Sequence, residues 1–285
     1  MVSGEPLVSV VIPTYNSERT LPLCLSSVRA QTYRNVEVIV VDSYSRDRTL
    51  EIARHYGVRT VLTRWKLLGA RYLGFRGSRG DLILMLDSDQ VLKTRDVIER
   101  AVKAMENHDM LVLEEFTYRP RTWIQKLFEA DRKLVHSLPH IHLNPIEGVL
   151  LARMYRREIL EEAFKKIPKE LYPIVVAHDH AIIYYEAYKV SNNVGILTNA
   201  VWHIEPEKLT ELIKKNIRYG VSTYELMKLN HSYKELLKRK IRLRKGSLKN
   251  VKLGICSGIL FILKGIGFNI GYIATLMHLN LGKNQ

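Results

Sequence analysis

The stretch Leu82-Ile83-Leu84-Met85-Leu86-Asp87-Ser88-Asp89 decides the fold expected for this chain. Five apolar residues bounded by charge predict a buried strand, and open α/β sheets bind ligands at the carboxyl ends of such strands. Asp87 and Asp89 therefore emerge at that edge, where carboxylate oxygens suit Mg²⁺ or Mn²⁺ shared with substrate phosphates. This indicates a nucleotide diphosphate substrate. Alone, however, such a pair is more often an ordinary strand end with solvated or turn-forming acids.

The preceding residues alternate between strand and helix patterns. Residues 8–12 and 36–41 are β-branched apolar runs that end at Pro13 and Asp42. Between them, residues 17–30 carry apolar residues at helical spacing, with Ser17 as the expected N-cap. A helix over 48–56 closed by Gly57, a strand over 58–62 and a helix over 66–76 follow. This alternation predicts an α/β, mostly parallel, Rossmann-like sheet covered on both faces.

The rest of the chain divides by composition. Residues 97–105, 123–135, 179–188 and 207–229 have helical patterns, and residues 110–113, 148–154 and 194–197 have extended ones. We expect a catalytic domain over 1–206, a basic helical segment over 207–252 and an apolar, membrane-associating tail over 253–285.

The overall composition restricts the class of protein. The 285 residues are 46% hydrophobic and 26% charged, as in a folded globular protein, and the net charge of +15 indicates an anionic partner. Cys24 and Cys256 lie far apart without metal-binding spacing, which favours a reducing compartment. The first strand begins near Leu7, which leaves no room for a signal peptide. We therefore expect the protein to work at the cytoplasmic side.

Three strand ends together carry a family resemblance. Pro13-Thr14-Tyr15-Asn16, Asp42-Ser43 and Asp87-Ser88-Asp89, with a helix that begins Gly69-Ala70-Arg71, resemble the family 2 glycosyltransferases of the GT-A fold. The resemblance extends over roughly the first 220 residues. One departure is that the family's Gly-x-Ala-Arg lacks its intervening residue here.

The resemblance implies a donor site for a UDP-, GDP- or dTDP-sugar with Mn²⁺ or Mg²⁺. The implied donor-binding residues are Pro13, Thr14, Tyr15, Asp42, Arg71, Asp87 and Ser88, and the implied metal ligands are Asp89, Asp87 and His203. Other interpretations remain open from the residues alone. Asp42 can be a turn former, Arg71 a solvated helix residue, Tyr15 part of the core and His203 a structural histidine.

Asp179 in His178-Asp179-His180 matches the family's general base, which deprotonates the acceptor. His178 stands where the family usually has Glu, and a protonated neighbour would lower the pKa of an adjacent aspartate. The alternative is that Asp179 only caps a helix. His136, His140 and His142 have no metal-binding spacing, and we interpret them as acceptor-side loop residues.

The C-terminal third indicates a membrane surface. Residues 231–252 contain nine lysines and arginines without interleaved aromatic residues, which favours anionic lipid over nucleic acid. Residues 253–277 are long enough to cross a bilayer, but Lys264 lies at their middle. An in-plane anchor, a membrane span and ordinary packed helices all remain open, and Gly265 and Gly267 suggest a break into two helices.

These features together predict a metal-dependent inverting glycosyltransferase at the cytoplasmic face of the cell membrane, similar to dolichyl- and polyprenyl-phosphate-linked sugar transferases. The expected acceptor is a polyprenyl phosphate or a lipid-linked glycan. The alternatives are a soluble or protein-linked glycan acceptor, and a non-catalytic nucleotide-sugar-binding membrane scaffold.

Overall fold

The computed structural model describes residues 5–136, 143–146, 148, 150–229, 231–233, 236 and 251–277. The strands are β1 Val8–Thr14, β2 Val36–Asp42, β3 Arg59–Leu62, β4 Leu82–Met85, β5 Gln90–Leu92, β6 Met110–Thr117, β7 Ala152–Arg156 and β8 Val194–His203. The helices are α1 Leu21–Arg29, α2 Thr49–His55, α3 Leu67–Gly77, α4 Val97–Ala104, α5 Trp123–His136, α6 Arg157–Lys166, α7 Asp179–Val190, α8 Leu209–Leu229 and α9 Val251–Leu276.

The first half of the chain forms the predicted parallel sheet. β1 lies between β2 and β4 and is parallel to both, and β3 is parallel to β2. Every residue of β1 and β4 is buried, as their continuous apolar runs require. Thr14 at the end of β1 pairs with Asp42 at the end of β2. The polar motifs therefore meet at one sheet edge, as predicted.

The second half of the sheet is mixed. The strand order is β3-β2-β1-β4-β7-β6-β8-β5, and β7 is antiparallel to both β4 and β6. The short strand β5 follows Asp89 directly and is antiparallel to β8, with Gln90 opposite His203. This pairing brings the segment after β4 to the end of β8. β5 and α6 were not predicted from the sequence. In the case of β5, the strand is only three residues long and begins with a buried polar residue, Gln90.

Two local predictions at helix ends had different outcomes. Gly57 ends α2 with a φ of 66°, in the left-handed region that glycine adopts without strain. The prediction that Ser17 caps α1 is wrong, because α1 begins at Leu21 after Thr20, with Pro22 in its first turn. The Ser17 hydroxyl instead lies 2.9 Å from the Ser88 hydroxyl and so joins two strand ends.

The C-terminal helix α9 is continuous, so the predicted break near Lys264 is absent. Its Lys264 amine lies 4.3 Å from the centre of the Phe128 ring on α5. Among the described helices, α9 is the one long and apolar enough to cross a membrane. One face nevertheless packs along α8 and α5, with Ser257, Leu260 and Ala274 buried.

Close backbone approach joins α9 to α8. A Cβ atom at Gly220 of α8 would overlap the carbonyl oxygen of Phe268, and one at Gly271 of α9 would overlap that of Ile217. Gly267 is similarly confined, since its Cβ would lie 2.7 Å from the Ile213 oxygen. Gly220, Gly267 and Gly271 therefore permit close helix packing rather than a break. α9 also packs on α5, while residues 237–250 of the basic segment lie outside the described residues, and the predicted division of the chain at residue 206 stays a prediction.

Substituting two α9 glycines should therefore have opposite effects on stability. Gly271→Ala is expected to destabilise the fold by roughly 1–3 kcal/mol, because its methyl group overlaps the α8 backbone. Gly258 has nothing within 4 Å of its Cβ position, so Gly258→Ala is expected to stabilise the helix by roughly 0.5–1 kcal/mol. Thermal unfolding followed by circular dichroism measures both. A lower melting temperature for Gly258→Ala than for wild type would contradict this packing. An unchanged melting temperature for Gly271→Ala would contradict it as well.

Candidate active site

The ends of β1, β2 and β4 place most of the predicted donor-binding residues side by side. Pro13 and Thr14 are buried at the end of β1, and Tyr15 directly beyond them is 39% exposed. The interpretation of Tyr15 as a core residue is therefore wrong. Ser88 lies beside Ser17 on the neighbouring segment. These residues therefore lie next to one another at the sheet edge, with Tyr15 exposed there.

Asp42 is fully buried and its carboxylate is satisfied locally. Its Oδ2 accepts hydrogen bonds from the Thr14 hydroxyl at 2.7 Å and the Ser45 hydroxyl at 2.6 Å. Its Oδ1 accepts one from the backbone N–H of Ser45 at 2.8 Å. These bonds fit the turn-forming interpretation, since they fix the loop after β2 against β1. Direct contact of Asp42 with a nucleoside stays a prediction.

Arg71 is the fully buried residue on which the site converges. Its Nε donates to Asp179 Oδ2 at 2.5 Å, and its Nη2 donates to Asp87 Oδ1. The interpretation of Arg71 as a solvated helix residue is therefore wrong. Arg71 joins the end of β4 to the start of α7. Asp179, at the start of α7, lies 108 residues after Arg71 in the sequence. The structure thereby brings the predicted base to the predicted donor site.

The segment before Asp179 is held from two sides. On the α3 side, the backbone N–H of Lys66 donates to Tyr172 and that of Leu68 to Val175. On the α8 side, the Ser222 hydroxyl accepts from the Val176 backbone at 2.8 Å. His178 has a φ of 67°, and its Nε2 lies 3.0 Å from the Thr223 hydroxyl. The imidazole is therefore engaged with α8, and Asp179 enters the site as the first residue of α7.

A continuous series of charged side chains connects Asp179 to Asp89, and we call it the charge chain. Its members, in order of contact, are Asp179, Arg71, Asp87, Arg153, Glu115, Arg132, Glu205, His203 and Asp89. Arg153 lies 3.0 Å from Asp87 and 3.2 Å from Glu115. Arg132 in turn pairs with Glu115 and Glu205. Positive and negative groups alternate along most of it, so each buried charge has at least one neighbour of opposite charge.

These pairings keep the carboxylates ionised. Burial alone would raise the pKa of Glu115, but the guanidinium groups of Arg132 and Arg153 outweigh it and lower the pKa to about 2. Burial likewise opposes the ionisation of Asp87, and Arg71 and Arg153 hold its pKa well below the ordinary range. Both side chains are therefore negatively charged at neutral pH.

Asp89 and His203 form the part of the site that suits a divalent cation. His203 Nε2 lies 3.6 Å from Asp89 Oδ1, too far for a hydrogen bond. Two ligands about 2.1 Å from one ion lie about 3.0 Å apart at a right angle and about 4.2 Å apart when opposite, so this separation fits a shared ion. Glu205 Oε1 lies 3.3 Å from His203 Nδ1 but without hydrogen-bond geometry, so it places a negative charge beside the imidazole.

The remaining predicted metal ligand, Asp87, is engaged differently. Its two oxygens face Arg71 and Arg153, so in this state they contact guanidinium groups. Among the described residues, no group of three or more His, Cys, Asp or Glu side chains converges on one metal position. Asp89 and His203 therefore fit an ion whose other ligands come from a diphosphate or from water, as is usual for Mg²⁺.

Sequence reasoning missed six members of this site. Arg153 lies on β7, Glu115 on β6, Arg132 on α5 and Lys215 on α8, Glu205 follows β8, and His180 was named without a role. His180 accepts a hydrogen bond from Arg153 and lies 3.6 Å from Asp87. The available signal was charge within segments of strand length, Arg153 in β7 and Glu115 in β6, because buried charges are rare unless paired. His136 ends α5 beside Phe116 and is not in a loop, while His140 and His142 lie outside the described residues.

Comparison with known families settles the relationship. The family model described as glycosyl transferase family 2 matches residues 9–164, more than half of the chain. The chain belongs to glycosyl transferase family 2. This confirms the family predicted from the strand ends. The matched range begins within β1 and ends within α6, whereas Asp179, His203 and Lys215 lie beyond it.

Relatives in this glycosyltransferase family include lipid-linked sugar transferases. The chain is 27% identical over 288 residues to the undecaprenyl-phosphate 4-deoxy-4-formamido-L-arabinose transferase of Aeromonas hydrophila, covering 97% of this chain and 78% of the relative. It is 28% identical over 173 residues to the uncharacterized glycosyltransferase EpsJ of Bacillus subtilis, covering 55% of this chain and 50% of the relative. The chain thus matches about half the length of EpsJ.

Solved structures confirm the GT-A fold. The mannosyltransferase PcManGT of Pyrobaculum calidifontis, solved with GDP-Man and Mn²⁺, has a TM-score of 0.56 and 19% identity, covering 99% of this chain and 77% of that one. Staphylococcus aureus TarS in complex with UDP has a TM-score of 0.54 and 16% identity, covering 95% of this chain and 92% of that one. At these identities the likeness establishes the fold alone.

The charge chain should make stability depend on acid. The pKa of Glu115 is about 2 in the fold against an ordinary 4.5, so its ionised form stabilises the fold above pH 4.5, and this stabilisation is lost as the pH falls towards 2. Glu115→Gln leaves Arg132 and Arg153 partly unpaired and is expected to cost about 3–5 kcal/mol at pH 7. In urea unfolding at a series of pH values, the difference from wild type should shrink below pH 4.5.

The exposed residue Glu106 supplies the matched control. Glu106→Gln should change the free energy of unfolding by less than about 0.5 kcal/mol at every pH. A Glu115→Gln deficit that stays constant between pH 7 and pH 2 would contradict the assignment.

Proposed function

We propose that this protein is a metal-dependent, inverting glycosyltransferase that moves one sugar from a UDP-, GDP- or dTDP-sugar to a polyprenyl phosphate or a lipid-linked glycan at the cytoplasmic face of the cell membrane. The observation that carries the proposal is the juxtaposition of Asp179 with the Asp87–Asp89 strand end. Arg71 bonds to both Asp179 and Asp87, so the residue matching the family's base lies beside the residues matching its donor site.

The arrangement of Asp179 suits a group that faces the acceptor. Arg71 holds its Oδ2, whereas no described residue donates a hydrogen bond to its Oδ1. The second oxygen can therefore accept a hydrogen bond from an incoming acceptor hydroxyl and take its proton as the acceptor oxygen attacks the anomeric carbon. The new bond forms on the face opposite the departing nucleoside diphosphate, which leaves with the electron pair of the broken C–O bond. An ionised phosphate acceptor needs no deprotonation, and Asp179 then only orients it.

Asp89 and His203 would hold the divalent cation, with the Glu205 carboxylate beside the imidazole. Bound there, Mn²⁺ or Mg²⁺ supplies positive charge that offsets the charge building on the departing diphosphate. Pro13, Thr14, Tyr15 and Ser88 lie at the strand ends that would receive the nucleoside. The solved relatives that contain UDP, or GDP-Man with Mn²⁺, support this assignment.

An exposed apolar ridge on α9 supports the membrane surface. The isoleucines opposite the packed face recur at three- and four-residue spacing and are 43–63% exposed; they are Ile255, Ile259, Ile262, Ile266, Ile270 and Ile273. A helix packed lengthwise on a folded domain, with an apolar ridge on its other side, fits insertion in the plane of the interface. The preceding basic segment adds attraction to anionic lipid. The undecaprenyl-phosphate transferase relative supports a lipid-phosphate acceptor.

Two rival functions make different predictions. An enzyme with a soluble or protein-linked acceptor keeps full activity when α9 no longer binds lipid. A non-catalytic nucleotide-sugar binder loses nothing when Asp179 is changed. Deleting α9 is a poor test of either, because it uncovers the α8 face around Gly220. Point substitutions at exposed or site positions separate these functions more cleanly.

Asp179→Asn tests catalysis directly. It is expected to lower sugar transfer by about 10²-fold or more for a hydroxyl acceptor, and less for a phosphate acceptor. Donor binding should persist, because Asp89 and His203 are unchanged. Transfer of a radiolabelled sugar to undecaprenyl phosphate and to lipid-linked glycans measures the first quantity, and calorimetry with UDP-, GDP- and dTDP-sugars plus Mn²⁺ measures the second.

The control is Asp96→Asn on the surface near α4, where the carboxylate is half exposed, and it should retain full transfer. The non-catalytic binder would be favoured if wild type and Asp179→Asn both bind a donor with Mn²⁺ and neither transfers sugar to any acceptor. Binding of no donor at all would reject the proposed donor site.

The double substitution Ile255→Ser/Ile262→Ser tests the membrane surface. It is expected to weaken binding to phosphatidylglycerol vesicles by about 10²-fold or more, because each buried isoleucine contributes roughly 1.5–3 kcal/mol. Nucleotide binding in solution should not change. Vesicle co-sedimentation measures the effect, with Leu23→Ser, an exposed apolar position on α1, as the control. Equal vesicle binding by wild type and the double variant would reject α9 as the membrane contact.

A further inference from the structure

Lys215 of α8 contacts the same carboxylate that is assigned to the metal. Its Nζ lies 3.6 Å from Asp89 Oδ2, while His203 Nε2 lies 3.6 Å from Asp89 Oδ1. The Lys215 side chain is 31% exposed, so it is partly covered but has a path to solvent. It is thus the ammonium group that offsets the charge of Asp89 when no ion is present.

A divalent cation and an ammonium group compete at this carboxylate. Two like charges about 4 Å apart repel strongly where water is partly excluded. Lys215 sits on a long flexible side chain, whereas the backbone of α8 is fixed by the glycine contacts with α9. The side chain can therefore turn while the helix stays in place. On leaving Asp89, the ammonium group could turn to a diphosphate held at the same strand end, and lysine binds phosphate well as a point charge.

We propose that Lys215 occupies the metal side of Asp89 in the donor-free protein and turns to the donor diphosphate when the cation binds. The inference rests on the proposed function, since it assumes a nucleotide diphosphate and a metal at this edge. Asp89 is then paired first with the Lys215 ammonium group and afterwards with the metal ion. It also makes metal and nucleotide binding mutually dependent, because the nucleotide supplies the new partner for the displaced ammonium group.

The experiment uses the full-length protein and separates these two contributions. Mn²⁺ alone is titrated by electron paramagnetic resonance of the free ion, and UDP, GDP and dTDP are titrated by calorimetry in saturating Mn²⁺. Lys215→Met removes the charge and keeps the apolar stem. It is expected to bind Mn²⁺ alone about tenfold more tightly and the preferred nucleotide about tenfold more weakly.

Opposite changes of this kind distinguish the proposal from a structural role, which would weaken both affinities or neither. Lys214→Met is the matched control, because Lys214 is the exposed neighbour on the same helix and should leave both affinities unchanged. Lys215→Gln provides a second neutral variant and should behave like Lys215→Met.

The outcomes separate this inference from the proposed function. If wild-type protein binds Mn²⁺ and a nucleotide but the Lys215 variants match Lys214→Met, the role of Lys215 is overturned and the donor site stands. Weaker Mn²⁺ binding by the Lys215 variants overturns it as well. If wild-type protein binds none of the three nucleotides in the presence of Mn²⁺, the proposed donor site fails, and this inference fails with it.

Discussion

The buried guanidinium of Arg71, paired with Asp87 and Asp179, is the interaction on which the rest of the site depends. A fully buried charge costs several kcal/mol unless it is paired and hydrogen-bonded. Arg71 can therefore be buried in α3 only when the end of β4 and the start of α7 both reach it. The rigid fork of N–H donors also fixes where the two carboxylates lie. The packing of α3 against the sheet therefore requires the same contacts that assemble the candidate active site.

The same principle extends along the charge chain to Asp89. Arg153 and Arg132 lie between Asp87, Glu115 and Glu205, so each buried carboxylate on this path has an arginine partner. Networks of this kind fix the side-chain geometry before a ligand arrives, and electrostatic catalysis requires such preorganisation. Asp89 and His203 lie at the end of the chain and 3.6 Å apart, without a hydrogen bond between them. The network therefore pairs the buried charges of its interior and leaves Asp89 and His203 able to bind a ligand at its end.

Helix α8 connects this site to the outer surface. Lys215 faces Asp89, and Ser222 and Thr223 hold the segment before Asp179. Gly220 lies on the face that meets the backbone of α9. α8 contacts the candidate active site on one side and α9 on the other. It cannot move freely relative to α9, because the backbones of the two helices touch. The exposed isoleucine ridge and the charge chain are consequently held at a fixed distance by one element.

The sequence by itself determined the parallel half of the sheet, the meeting of three strand ends and the family. These follow from local signals, since apolar runs set strands and short motifs mark their ends. Only the tertiary structure decided the strand order beyond β4, the single continuous helix α9 and the partners of Arg71. No local pattern marks Arg153, Glu115, Arg132 or Lys215 as neighbours of the candidate site, because each reaches it from a separate element. Their positions depend on the mutual satisfaction of buried charges, and that is a property of the folded chain rather than of any one segment.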